Sequence, residues 1–166
     1  RRFAQVSHEY LIEQVQHTGT ESVAASGSSI TLTYNHPVKA LFWRGFAADK
    51  TYTAKLQLNG HDRFTEQSTR YFHLVQPYEC GLGHSKALDA NGAWGTMTGN
   101  SLQSGMYSFC LKPGEHQPSG SCNFSRIDNA RLVISGSTIN CQLDVFALNY
   151  NVLRVMSGMG GLTYSN

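Results

Sequence analysis

Short apolar runs with a period of two, each closed by turn residues, organise this chain. Ile30-Thr-Leu-Thr-Tyr34 alternates apolar and hydroxyl side chains, which predicts a strand with one buried face. Similar runs predict strands over Glu9–Gln16, Val38–Arg44, Thr51–Leu58, Met106–Leu111, Ala130–Ser135 and Leu143–Met156, the last bent near Asn149 to Asn151. Turn chemistry separates them: a Ser/Gly-rich connection from Gly19 to Ser29, Asn35-His-Pro37, and Asn59-Gly60, the strongest short hairpin signal in the chain. Two stretches resist assignment. Over His61–Pro77, the apolar Phe64, Tyr71, Phe72 and Val75 fit a short helix or irregular chain over a sheet. Gly81 to Gly105 is glycine-rich with little periodic apolar content and reads as a long surface loop.

About seven or eight short strands without long helical periodicity predict an all-β sandwich, either a jelly roll or an immunoglobulin-like domain. An immunoglobulin domain wants a Cys, Trp, Cys arrangement that Trp43 and Trp94 do not supply here, which favours two jelly-roll sheets of about eight antiparallel strands with long loops. At 166 residues the chain fits one domain, and such a length buries roughly 70% of its unfolded surface without staples.

Charge and cysteine usage narrow the function. Thirteen Lys+Arg against eleven Asp+Glu, spread without a basic block, give no footprint for direct nucleic-acid binding. No apolar run approaches the ~20 residues that cross a bilayer as a helix, so no membrane insertion is expected. The opening Arg1-Arg2-Phe3 has no signal-peptide apolar region; it also lacks an initiating Met, as a fragment would. Cys80, Cys110, Cys122 and Cys141 lie 30, 12 and 19 residues apart, too sparse for a disulfide scaffold and without a Cys-x-x-Cys pair. Reduced thiols follow, with Cys110 a small buried hydrophobe inside Tyr107–Leu111.

Catalytic motifs are missing. The histidines at 8, 17, 36, 61, 73, 84 and 116 form neither His-x-His nor His-Glu-x-x-His and read as scattered surface or turn residues. There is no Gly-x-Ser-x-Gly elbow and no phosphate loop, and Gly158-Met-Gly-Gly161 has too little chain after it for a dinucleotide-binding helix, so it reads as a flexible or tightly turned tail. No catalytic residue, metal site or cofactor is expected. Asn123-Phe-Ser125 is the one formal N-glycosylation acceptor, expected to be unmodified without a secretory route.

The most informative stretch is His116-Gln-Pro-Ser-Gly-Ser-Cys-Asn-Phe-Ser-Arg-Ile-Asp128. Pro118-Ser119-Gly120 is turn chemistry, and the chain then leaves through Asn123, Phe124 and Ile127 toward Leu132-Val133-Ile134. If Arg126-Ile-Asp128 is extended, Arg126 and Asp128 share one face and Ile127 packs inward. Together with Asn149-Tyr-Asn151 and the tail through Gly158, Gly160 and Gly161, this stretch closely resembles the end of the major capsid proteins of nucleo-cytoplasmic large DNA viruses, of the iridovirus and phycodnavirus double-jelly-roll type. Arg1–Gln16, His36-Pro-Val-Lys39, Leu58–Phe64, Tyr71–Tyr78 and Tyr107–Pro113 also look familial.

The resemblance implies a structural virion protein whose 1–166 is the second jelly roll of two. Three copies of the whole protein would form a pseudo-hexagonal capsomer tiling an icosahedral capsid. The implied partners are its own copies, neighbouring capsomers and minor capsid proteins; the implied location is the virion, assembled in the host cytoplasm. The family-motif positions are Gln117, Pro118, Ser119, Gly120, Asn123, Ser125, Arg126, Ile127, Asp128, Asn149, Asn151, Gly158, Gly160 and Gly161. Three features depart from the family: the first jelly roll is absent from this sequence, Gly114 stands where an acid is usual, and 81–105 is long. The alternative function is a carbohydrate-binding jelly roll stacking sugar on Trp94; a cupin-like enzyme is more distant, because its ligand spacing is missing.

Overall fold

The computed structural model describes residues 5–45, 52–82, 104–136 and 140–164. Two antiparallel sheets face each other. The first joins β1 (His8–Val23), β10 (Cys141–Met156), β3 (Pro37–Arg44) and β7 (Ser104–Ser108) in that order, with β8 (Cys122–Asn123) added beside β3 and β11 (Met159–Leu162) beside β10. The second joins β2 (Ser28–Thr31), β9 (Ala130–Ser135), β4 (Thr53–Leu58) and β5 (His61–Asp62), with β6 (Gln67–Ser68) also on β4. Without the short additions β6, β8 and β11, the strands in chain order fall into sheets 1-8-3-6 and 2-7-4-5. This is the interlocked arrangement of a jelly roll.

The period-two reading holds where it was clearest. Ile30, Leu32 and Tyr34 are buried and Thr31 and Thr33 exposed, while Ala54 and Leu56 on β4, Ala130, Leu132 and Ile134 on β9, and Leu143, Val145 and Ala147 on β10 form the opposing core faces. Asn59 and Gly60 both have positive φ, 51° and 80°, and close the β4–β5 hairpin as expected. His36 sits at φ 67° in the Asn35–Pro37 turn.

Several expectations need correction. The connection assigned to Gly19–Ser29 starts too early, because β1 runs on to Val23 through an irregularity between His17 and Thr20. Gly19, at φ 111°, lets the strand shift register and resume, with Thr20 pairing Asp144. β7 ends at Ser108, not Leu111, because the Ser108 hydroxyl turns back to the Cys110 carbonyl (2.6 Å) and accepts from the Cys110 amide (3.2 Å). The expected loop 81–105 lies mostly outside the described residues, but its last residue, Gly105, belongs to β7. There a Cβ would lie 2.5 Å from the Trp43 indole, so the glycine serves packing. His61–Pro77 resolves into β5, β6 and a π-helical turn, Tyr71–Val75, that runs into α1 (Gln76–Glu79). His73 is buried at 3% exposure, so the expectation of surface or turn histidines fails at that position. Of the two readings of the glycine-rich tail the tight turn holds: Ser157 and Gly158, at φ 53° and 81°, turn β10 into β11, which pairs Met156 with Met159 through Leu153 with Leu162.

All four cysteines are free thiols, with Cys110 buried. Burial pushes the thiols of Cys80, Cys122 and Cys141 above the usual range, which weakens them as nucleophiles. Titration of the denatured, unreduced chain should recover about four thiols, and the native chain should react more slowly. Recovery of two would mean a disulfide that this geometry does not contain.

Candidate assembly surface

The outer faces of the two sheets differ in chemistry. On the β2-β9-β4-β5 sheet the outward positions are Ser29, Thr31, Thr53, Lys55, Gln57, Asp62, Arg131 and Val133. They form polar contacts among themselves, such as Lys55 Nζ to Asp62 Oδ2 at 3.0 Å and Gln57 Nε2 to Asp62 Oδ1 at 2.7 Å. On the other sheet, register lines up His17, Phe146, Phe42 and Met106 across four strands, and Val15, Leu148 and Ala40 in the adjacent row. His17 stacks on Phe146 with ring centroids 4.6 Å apart. Val15 is 65% exposed and Phe42, Phe146 and Leu148 are half-buried, so this apolar band reaches solvent along β1. An apolar band on the outer side of a sandwich is the kind of surface that another protein surface covers.

At one end of this band β3 bulges. Ala40 pairs with Leu148 and Val38 with Asn149, leaving Lys39 without a partner on β10 and turned to the outer face. Its side chain is fully buried there. The ammonium donates to Glu13 Oε1 and to the Glu115 carbonyl (2.9 Å), 5.0 Å from the centre of the Tyr150 ring. Desolvation alone would lower the ammonium's pKa; the Glu13 carboxylate and Tyr150 outweigh it, and the value ends above the usual lysine range. His116 Nδ1 lies 3.8 Å from the same Glu13 oxygen, so the segment entering the motif stretch is drawn over the sheet. Sequence reading missed this pair. A lysine inside the run Val38–Trp43 was the available signal.

The motif positions converge on this end of the fold. Cys122, Val38, Asn149 and Gln14 form one register row across β8, β3, β10 and β1. Asn149 is fully buried. Asn151, in the next row, donates to Gln14 Oε1 and to the Tyr164 carbonyl, both at 2.9 Å, and so ties the tail to β1. Gln117 and Pro118 are exposed. The Ser119 hydroxyl accepts from the Lys112 amide at 3.0 Å, and Gly120, at φ 136°, lies where a Cβ would approach the Phe109 carbonyl to 3.1 Å. The turn expected at Pro118–Gly120 does not form there: the loop turns at Pro113-Gly114, where the Glu115 amide donates to the Lys112 carbonyl (3.2 Å), and 118–120 return beside Leu111 and Lys112 as irregular chain.

After Asn123 the chain does not continue as a strand. Phe124–Arg126 is a 3-10 turn capped by Asn123, whose Oδ1 accepts from the Ser125 amide (3.1 Å). The Ser125 hydroxyl accepts from the His36 amide (2.8 Å), and the Phe124 amide donates to the His36 carbonyl (3.0 Å). The inward anchor is therefore Phe124, 2% exposed, with Ile127 half-buried beside it. Arg126 and Asp128 are both exposed and do not pair with each other. Burial over Arg126–Asp128 falls as expected, with Ile127 against the core and its neighbours exposed, but Arg126 ends a capped turn and is not part of a strand. Gly158 sits in the β10–β11 turn; Gly160 and Gly161 lie on β11, away from Phe124. Trp94, which carried the carbohydrate alternative, lies outside the described residues. Among the described residues no three His, Cys, Asp or Glu side chains converge as a metal site would require.

Comparison with known proteins gives a consistent result. A family model described as "Large eukaryotic DNA virus major capsid protein" matches residues 1–45 and 101–161. The major capsid protein of Pyramimonas orientalis virus is 53% identical over the whole of this chain, which covers 45% of it; that of Paramecium bursaria Chlorella virus 1 is 36% identical over 99% of this chain and is 50% covered. Among solved structures, the quasi-atomic model of the PBCV-1 virus capsid superposes with a TM-score of 0.77 at 32% identity, over 99% of this chain and 53% of that one. The chain spans about half the length of the curated relatives it matches.

Proposed function

The chain belongs to the major capsid protein family of large eukaryotic DNA viruses, a family of structural virion proteins, and from that premise we propose that residues 1–166 act as the second jelly roll of a double-jelly-roll protein that trimerises into a pseudo-hexagonal capsomer. The observation that carries this reading is the apolar outer band of the β1-β10-β3-β7 sheet, set against the polar outer face of the other sheet. A neighbouring jelly roll packed on Val15, Leu148 and Phe146 would bury that band, leaving the polar face to solvent. The loop through 116–128, held near β1 by Lys39 through Glu13 and Glu115, and the tail, held to β1 by Asn151, would fix the rim of the contact. Capsomers of this kind would tile an icosahedral shell with minor capsid proteins between them, after assembly in the host cytoplasm. The protein's work on this reading is shape and self-association, without catalysis.

The test is native mass measurement on the full-length protein, where a trimer is expected and a monomer at micromolar concentration would overturn the reading. Val15→Lys should separate assembly from folding. The side chain is exposed in the isolated chain, so its melt should change by less than about 0.5 kcal/mol. The trimer fraction of the full-length protein should fall, because a lysine buried in a contact lacks a partner. A trimer unaffected by Val15→Lys would place the contact elsewhere.

A further inference from the structure

The segment from Thr69 to Glu79 folds over one end of the sandwich and is held at three points. Thr69 is tied to the Tyr52 backbone: its hydroxyl donates to the Tyr52 carbonyl (2.6 Å) and accepts from the Tyr52 amide (2.7 Å). Four residues on, His73 Nε2 meets the Tyr52 hydroxyl at 3.0 Å, and that hydroxyl accepts from Trp43 Nε1 at 2.7 Å. Gln76 Oε1 then accepts from the Ser108 amide at 3.1 Å, on β7, the last strand in its sheet's order. Phe72, between these anchors, is fully buried and packs edge-on against Trp43 at 5.1 Å. The turn therefore covers a strand edge and closes the core at the same time.

We infer that this turn is an acid-released latch: protonation of His73 undocks residues 69–79 from Tyr52 and uncovers the β7 edge and the Phe72 site, while the two sheets stay paired. The surroundings of the ring give a cation nothing to pair with. Among the described residues, the ionisable groups packed here are Tyr52 just before β4, Tyr71 on the same turn, Tyr107 from β7 and Glu79 and Cys80 at the end of α1; Arg70 precedes the turn and Arg63 acts on Tyr107. The Glu79 carboxylate accepts from Gln76 Nε2 at 3.3 Å, and among the described residues no carboxylate forms an ion pair with His73. With Nε2 unprotonated the ring accepts from Tyr52; protonated, it loses that role and carries an unpaired charge in an apolar site.

Burial holds His73 down to about 4, from 6.5 in water. Because the docked value is depressed, docking has its full stability above about pH 6.5 and loses it as the pH falls toward 4. At pH 5 the docked-to-undocked ratio should be about 20-fold lower than at pH 7. Undocking stays local because the sheets are joined by separate ladders, such as the register from His8–Val155 to Val23–Cys141, that do not pass through this turn. The inference does not depend on the trimer proposed above.

Hydrogen exchange of the chain at pH 7 and pH 5, corrected for intrinsic rates, tests it. Amides of 69–79 should exchange about 20-fold faster at pH 5 with β9 and β10 unchanged, and His73→Gln, neutral at both pH values, should abolish the step. Equal protection at both pH values, a step retained in His73→Gln, or simultaneous loss of β9 and β10 protection would each overturn it. Should His73→Gln fail to fold, the imidazole titration of the wild-type chain by NMR decides. A ring that protonates together with the exchange step supports the latch, and one that titrates near 6.5 under a fully protected turn refutes it.

Discussion

Trp43→Ala should destabilise the chain by about 3–5 kcal/mol, toward the upper end of that range for a large aromatic truncation. The indole is 1% exposed, donates to the Tyr52 hydroxyl and packs edge-on against Phe72. Its other side lies against Gly105 of β7, and a residue without a side chain cannot move in to fill the space left behind. The loss also removes the donor to a buried hydroxyl. The reverse perturbation is Gly105→Ala, whose methyl would lie 2.5 Å from an indole that has no room to retreat, at a cost of about 1–3 kcal/mol. Because the two residues share one volume, Gly105→Ala should cost less in the Trp43→Ala background than alone. Denaturant unfolding of the four proteins measures this. Additive costs would mean that Trp43 and Gly105 do not touch.

Phe124→Ala should also cost about 3–5 kcal/mol, while Arg126→Ala, two residues later, should change stability by less than about 1 kcal/mol. Phe124 is the inward anchor of the motif segment, packing edge-on against Tyr34 at 6.1 Å and Phe109 at 5.7 Å, and its amide holds the His36 carbonyl. Losing the ring removes the packing that seats this turn, although the backbone bond to His36 is retained. Arg126 is exposed and unpaired with Asp128, so its truncation removes little in the isolated chain; any role it has should emerge as a changed trimer fraction in the full-length protein. Ile127→Asp should fall between these two, because Ile127 is only half-buried. An Ile127→Asp cost above that of Phe124→Ala would show that the extended register was right after all.

These contrasts show how far the sequence could be read. Ile30–Tyr34 and Ala130–Ser135 declared their buried faces because alternation along one strand is a local property of the pleat. The motif segment was recognisable as a unit, but the turn expected at Pro118–Gly120 lies earlier, at Pro113-Gly114. Its conformation was not legible, because the Ser125 hydroxyl that holds it accepts from the His36 amide 89 positions away; the Asn123 cap, two residues from Ser125, was a local signal that went unread. The candidate surface was less legible still. Val15, Phe146, Phe42 and Met106 come from four separate segments, and only strand register assembles them into a band.

By itself the sequence determined the fold class, most strand positions, the hairpin at Asn59-Gly60 and much of the core, since period and turn chemistry are set by neighbouring residues. Only the tertiary structure decided that β1 continues past Gly19, that Lys39 turns outward into a buried ion pair, that Gly105 makes room for Trp43, and that His73 closes the core over Tyr52. Each of these depends on what a distant strand places opposite, and burial, register and desolvation are properties of that pairing, not of the segment alone.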